Sequence, residues 1–189
     1  MKQFPAMNTT TIVETERLIL RTWKPEDFPA FAAMNANAEV MRYFLAPLSM
    51  EESLTTLARI LAEHRESGYG LYALERKEDH RLIGLLGLHR VTFDAPFAPC
   101  VEIGWRLIPE AWGHGYATEA ASACLKYALC ELNLPEVYSF TALPNMRSSR
   151  VMERAGMEKV GEFDHPNVPA SHPLLRHVLY RADKTLLGW

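Results

Sequence analysis

Between residues 112 and 118 the chain reads Trp-Gly-His-Gly-Tyr-Ala-Thr, with Gly113, Gly115 and Ala117 at alternate positions. Apolar residues then recur at helical spacing over residues 117–132. A strand ending near Ile108, a turn made of glycines and a new helix leave the first N–H groups of that helix without partners. With no Cβ atoms over them, these groups are open to a diphosphate, whose charge the helix dipole favours. The chemistry on offer is anion binding by main-chain amides.

Two common phosphate motifs do not fit. A nucleoside-triphosphate loop needs a lysine after its second glycine, and none follows Gly115. A dinucleotide fingerprint needs Gly or Ala three residues after its second glycine, where this chain has Thr118. Other residues are placed for proton transfer. Glu102 is the carboxylate near the middle of the chain; strand alternation sets it opposite Val101, Ile103 and Trp105, although a β-bulge would reverse that facing. It reads either as a general base or as a solvated or ion-paired strand residue. Asn145 and Ser148 precede a short helix, where both types serve as caps and both can hydrogen-bond a ligand. His89 ends a strand and could face a substrate. The histidines and cysteines show no metal-ligand spacing, so no metal is expected, and Cys124 and Cys130 read as small core residues.

The elements that must position these residues follow from periodicity. RLILRTW (residues 17–23) alternates as a half-buried strand, and Pro25 opens a helix. Residues 49–65 form a helix with Ser49 as N-cap and Glu52 completing a capping box, closed by Gly68 and Gly70. Strands at 71–76, 81–91 and 100–108 are joined by links short enough for antiparallel neighbours. The helix at 117–132 crosses to the strand VYSFTA (137–142), a short helix ends at Gly156, and residues 157–163 and 177–181 close the domain as strands. The fold class is α+β, of the three-layer α/β sandwich type, with a mixed, mostly antiparallel sheet of about six to seven strands flanked by helices. One domain spans residues 11–189, behind a flexible tail of residues 1–10.

Composition narrows the function. A net charge of -3 on 189 residues, 48% of them hydrophobic, gives no footprint for nucleic acid or an anionic membrane as the main partner. No segment approaches the roughly 18 apolar residues of a membrane span. Three cysteines without paired spacing imply a reducing, cytoplasmic setting.

Three segments, TERLILRTWKPED (15–27), VEIGWRLIPEAWGHGYATEA (101–120) and NMRSSRVMERAGM (145–157), together resemble the GCN5-related N-acetyltransferase (GNAT) superfamily. The resemblance is to its branch of RimJ/RimL-like ribosomal-protein N-terminal acetyltransferases. It implies an acetyl-CoA-dependent enzyme acting by direct attack of an amine in a ternary complex; the alternative is a non-catalytic acyl-CoA-binding or sensor module. The acceptor would be a protein N-terminus or a small-molecule amine, and the chain a monomer or homodimer. The family signature is Gln/Arg-x-x-Gly-x-Gly/Ala; here Trp112 takes its first position, with Gly115 and Ala117 matching.

By the same resemblance, Trp105, Leu107 and Ile108 contact the pantetheine through the strand's main chain, Leu107 foremost. The amides of His114, Gly115, Tyr116, Ala117 and Thr118, beside Gly113, hold the diphosphate. Asn145 and Ser148 also bind the cofactor, Ser148 serving as proton donor to the thiolate and Asn145 orienting a water. Met152 stands where other branches carry a catalytic tyrosine. Glu102 or a water chain takes the amine's proton.

Overall fold

The computed structural model describes residues 9–189; most of the expected tail, residues 1–8, lies outside the described residues. In chain order the strands are β1 (Thr11–Glu14), β2 (Leu18–Arg21), β3 (Leu71–Arg76), β4 (Arg81–Val91), β5 (Cys100–Leu107), β6 (Val137–Ala142), β7 (Glu158–Asp164) and β8 (Arg176–Ala182). The helices are α1 (Phe28–Ala36), α2 (Met50–Ser67), α3 (Tyr116–Lys126), α4 (Met146–Arg154) and α5 (Lys184–Leu187). All eight strands form one sheet in the order β1-β2-β3-β4-β5-β6-β8-β7. Every neighbouring pair is antiparallel except β5 and β6, which run parallel.

The eighth strand is β1, a four-residue edge segment paired with β2 that adds to the six or seven expected. Its signal in the sequence is the β-branched run Thr9 to Val13, which is too short to alternate convincingly. Pro25 opens a 3-10 turn, Pro25–Asp27, and the α-helix begins only at Phe28. The capping box of α2 is present in both directions. Ser49 N donates to Glu52 Oε2 at 2.7 Å and Glu52 N to Ser49 Oγ at 3.2 Å, while Gly68 adopts φ +75° after the last turn. The helix expected over 117–132 is α3 followed by a wider π-helical turn, Tyr127–Glu131.

Each face of the sheet is covered by a helical layer, because the central strands β3 and β4 bury apolar residues on both sides. Leu18, Leu20, Leu74 and Ile103 pack with Ala121 and Leu125 of α3 and Met152 of α4. Ala73 and Leu85 pack instead with Phe31 of α1 and with Leu57 and Ile60 of α2.

The 3-10 turn and α1 are tied to the sheet by charge. Arg21 of β2 forms two bonds to Asp27, at 2.7 and 2.9 Å, and one to Glu75 of β3 at 2.6 Å. All three side chains are buried. Such a group is favourable only while complete, because each charge has left water. Arg21→Ala strands two buried carboxylates and should lower unfolding free energy by about 3 kcal/mol or more, read from urea denaturation.

Candidate active site

The parallel junction between β5 and β6 is where the sheet opens. Their register contains a single pair, Glu102 with Tyr138, reinforced by Ser139 Oγ donating to Ile103 O at 2.9 Å. Among the described residues no later pair joins them, so the strands diverge as a wedge towards the C-terminal end of β5. Ile108 N donates to Ile83 O, which fixes the alternation along β5: even-numbered residues bond to β4 and odd-numbered ones face β6. Trp105 and Leu107 therefore turn main-chain groups into the wedge. The Leu107 carbonyl is engaged there, accepting from Trp112 Nε1 at 2.9 Å. Ile108, expected to pair through its main chain, spends its N–H on Ile83 and its carbonyl on Ala111 N.

At the mouth of the wedge lies the glycine turn. Gly113 and Gly115 have φ of +80° and +81°, a left-handed conformation costing other residues ~1–2 kcal/mol. A Cβ on Gly113 would meet nothing within 4 Å, and on Gly115 only Arg17 Nη2 at 3.6 Å. Backbone conformation, then, and not crowding, selects glycine, and the space above stays clear. Glu119 N donates to Gly115 O, the first bond of α3. Among the described residues, the N–H groups of His114, Gly115, Tyr116, Ala117 and Thr118 meet no acceptor.

Arg17 braces this turn from the adjacent edge of the sheet. Its Nη1 donates to His114 O at 3.0 Å, its Nε to Glu119 Oε2 at 2.7 Å, and its guanidinium lies 4.6 Å from the Tyr116 ring centre. In a trans peptide the N–H points opposite to the C=O, so holding His114 O aims Gly115 N–H the other way, out of the turn. Glu119 also accepts from Thr15 Oγ1 at 2.6 Å and from Arg17 N at 3.0 Å. Burial alone would raise its pKa, but these donors from Thr15 and Arg17 hold it below the usual carboxylate range. Arg17 and Glu119, 102 residues apart in the chain, together fasten the cradle.

Helix α4 supplies the other side. Asn145 caps it, accepting from Ser148 N at 3.4 Å, while its Nδ2 donates to Ser148 Oγ at 3.1 Å and Thr141 Oγ1 at 2.9 Å. The capping role is thus realised, yet the Ser148 hydroxyl accepts in that network and its own proton has no acceptor among the described residues. Arg147, next in this helix, stacks its guanidinium 4.7 Å from the Trp112 ring centre. Trp112 takes the place of Gln or Arg in the signature, and Arg147 brings a cation back to that position from a different element.

On the face carrying α1 and α2, β5 presents Glu102, Gly104 and Arg106. Glu102 faces as strand alternation requires, opposite Ile103, but not into bulk water. It is buried and meets His89 of β4, Nε2 to Oε2, at 2.6 Å. Burial pulls the imidazole pKa down, but the adjacent carboxylate outweighs it and holds His89 up at about 9. The cysteines offer no nucleophile here: burial pushes Cys124 up to about 12, and burial with the nearby Glu102 and Glu136 does the same to Cys100. Among the described residues no group of three or more His, Cys, Asp or Glu could hold a metal ion, and no helix is long and apolar enough to cross a membrane.

Residues 17–158 match the family model described as an acetyltransferase (GNAT) domain. The chain belongs to the GNAT acetyltransferase family. It is 32% identical over 152 residues to the uncharacterized N-acetyltransferase YoaA of Bacillus subtilis (strain 168), covering 79% of this chain and 84% of that one. An acetyltransferase structure from Agrobacterium tumefaciens str. C58 superposes with a TM-score of 0.72 at 29% identity, over 96% of this chain and 98% of that one. The spermidine N-acetyltransferase of Vibrio cholerae, solved with CoA and spermine, shares the fold at a TM-score of 0.73 and 20% identity, over 92% and 99% of the two chains. The GNAT protein described here is an N-acetyltransferase of mixed α+β fold, in a family that uses acetyl-CoA and an amine acceptor.

The ion pair has a signature in stability. His89 has a folded-state pKa of about 9 against an ordinary 6.5, so the pair's stabilisation is complete below about pH 6.5 and fades as pH rises through about 9. The thermal midpoint of Glu102→Gln should fall furthest below wild type near pH 6, the deficit shrinking by pH 10.

Proposed function

We propose that this GNAT protein transfers an acetyl group from acetyl-CoA to a primary amine by direct attack within a ternary complex. The observation that carries this reading is the row of unpaired amides at residues 114–118 opening beside the wedge between β5 and β6. Acetyl-CoA supplies an acetyl group already activated as a thioester. His114, Gly115, Tyr116, Ala117 and Thr118 hold its diphosphate through N–H groups, with Arg147 on Trp112 adding positive charge nearby. Trp105 N–H and C=O and Leu107 N–H bind the pantetheine amides in the wedge. The Ser148 hydroxyl, steadied by Asn145, donates to the departing sulfur and passes it a proton that solvent water returns to the serine.

The amine's proton leaves towards Glu102, directly or through water, and His89 balances the charge of that carboxylate. An α-amine, with an ordinary pKa of about 7.7–8.0, needs only a modest base for this. The raised thiol pKa values of buried Cys124 and half-buried Cys100 support transfer without an acyl-enzyme. Paired proton-transfer groups on both sides of the wedge favour turnover over a binding-only module. The run Asn145-x-x-Ser148-x-x-Val151 supports the RimJ/RimL-like branch, and the three free cysteines a reducing, cytoplasmic setting.

Titration calorimetry should show micromolar acetyl-CoA affinity, undisturbed by ATP and lost in Gly115→Glu. Gly115→Ala carries the same backbone strain without the charge and should still bind, which separates cradle from fold. Absence of acetyl-CoA binding to the wild-type protein would overturn the reading. Ser148→Ala should reduce kcat roughly 100-fold while leaving acetyl-CoA affinity unchanged. An unaltered kcat would leave Ser148 as a helix cap alone.

A further inference from the structure

Arg106 is a half-buried cation with no carboxylate beside it among the described residues. On β5 it shares a face with Glu102 and Gly104, beside Leu85 of β4, where the layer of α1 and α2 ends. Its Nη1 donates to Asn35 Oδ1 at the end of α1, and Phe44, on the segment between α1 and α2, lies 4.3 Å from its guanidinium carbon. Both partners are uncharged. Its Nε is buried without any hydrogen-bond partner, and no carboxylate of the described residues pairs with it. Burial with no compensating anion pulls its pKa down to about 10. Elsewhere this chain neutralises buried arginine fully, as Arg21 does with two carboxylates. An uncompensated, under-bonded guanidinium costs free energy that an anionic ligand would recover.

Beside Arg106 the floor of β5 is bare. Gly104 and Gly87 are register partners in the middle of β4 and β5, so the floor between Glu102 and Arg106 carries no side chain. A Cβ on Gly104 would meet nothing within 4 Å. On the far side, over β6 and β8, the same face is covered by an aromatic group in which Phe97 stacks 5.8 Å from Tyr138 and Phe140 lies 6.1 Å from His177. A carboxylate–imidazole pair thus marks one end of a bare strip and an unsatisfied guanidinium the other. At ~3.4 Å per residue the two Cα positions are roughly 13 Å apart, and both side chains can reach inwards.

We propose that this strip of β5 is the acceptor subsite and that Arg106 binds a carboxylate of the acceptor, so that the substrate is an amine that also carries an acidic group. Its amino group lies over Gly104 towards Glu102 and its carboxylate accepts from Arg106, whose planar fork suits that partner. The carboxylate belongs either to a small amino acid or to an acidic side chain near a peptide N-terminus. The inference rests on the acetyl-transfer reading above.

The test measures thiol release from acetyl-CoA with two matched acceptor pairs: 4-aminobutanoate with 4-aminobutanamide, and peptides beginning Ala-Glu with those beginning Ala-Gln. In the wild type, at least one pair should show a preference in kcat/KM of about tenfold or more for the acidic member. The preferred pair identifies the source of the carboxylate. In Arg106→Gln the preference should fall to near unity with acetyl-CoA affinity unchanged; comparing variants cancels any difference in amine basicity. Should Arg106→Gln not fold, Arg106→Lys carries the test, its preference dropping severalfold because the fork is lost and the charge kept. Gly104→Val, placed in open space on a strand, should keep the thermal midpoint and acetyl-CoA binding while losing turnover. Equal use of both members of each pair, or a preference that survives in the Arg106 variants, would overturn the proposal and leave acetyl transfer standing. Failure of the wild type to bind acetyl-CoA would instead remove the transfer reading and this inference with it.

Discussion

The site depends on one constraint in the sheet: β5 and β6 are parallel neighbours that meet at a single register pair and then separate. Antiparallel partners close each of the other junctions, so the divergence is confined to one place. Parallel strands need a crossover, and here α3 provides it, starting at the mouth of the wedge. Unpaired strand groups and unpaired helix amides consequently converge from two elements consecutive in the chain. The unpaired main-chain groups in such a gap need water or a ligand as partner.

Charge is distributed so that each group near the wedge is held by a neighbour on a different element. Arg17 on one edge of the sheet and Glu119 inside α3 lock the glycine turn, and His89 on β4 steadies Glu102 on β5. Trp112 joins the end of β5 to α4 through its bond to Leu107 O and its stack against Arg147. These contacts hold the glycine turn from several elements at once, the kind of preorganisation that lowers the ordering cost of binding a ligand. Arg106 departs from this pattern, since its partners are neutral.

Much of the fold was legible from local signals. The Ser49–Glu52 capping box, the glycine stop at Gly68 and the three antiparallel strands from β3 to β5 need only nearby residues, and all stand where spacing placed them. Strand β1 was not legible, because four residues on a sheet edge derive their structure from pairing with β2. The start of α1 was misplaced by a turn: Pro25 suits a helix start, but the chain first tightens into a 3-10 turn as Asp27 reaches Arg21.

For the site, the open backbone amides are legible locally, because positive φ at Gly113 and Gly115 and the start of α3 are properties of consecutive residues. The sequence by itself also put Asn145 and Ser148 within reach of one another, three residues apart at a helix start. Only the tertiary structure decided which groups face each other across elements. Arg17 under His114, Arg147 against Trp112, His89 on Glu102 and Arg106 without a counter-ion arise from strand register and helix packing. Register is set by the burial of whole faces, so no local pattern of residues announces those pairs.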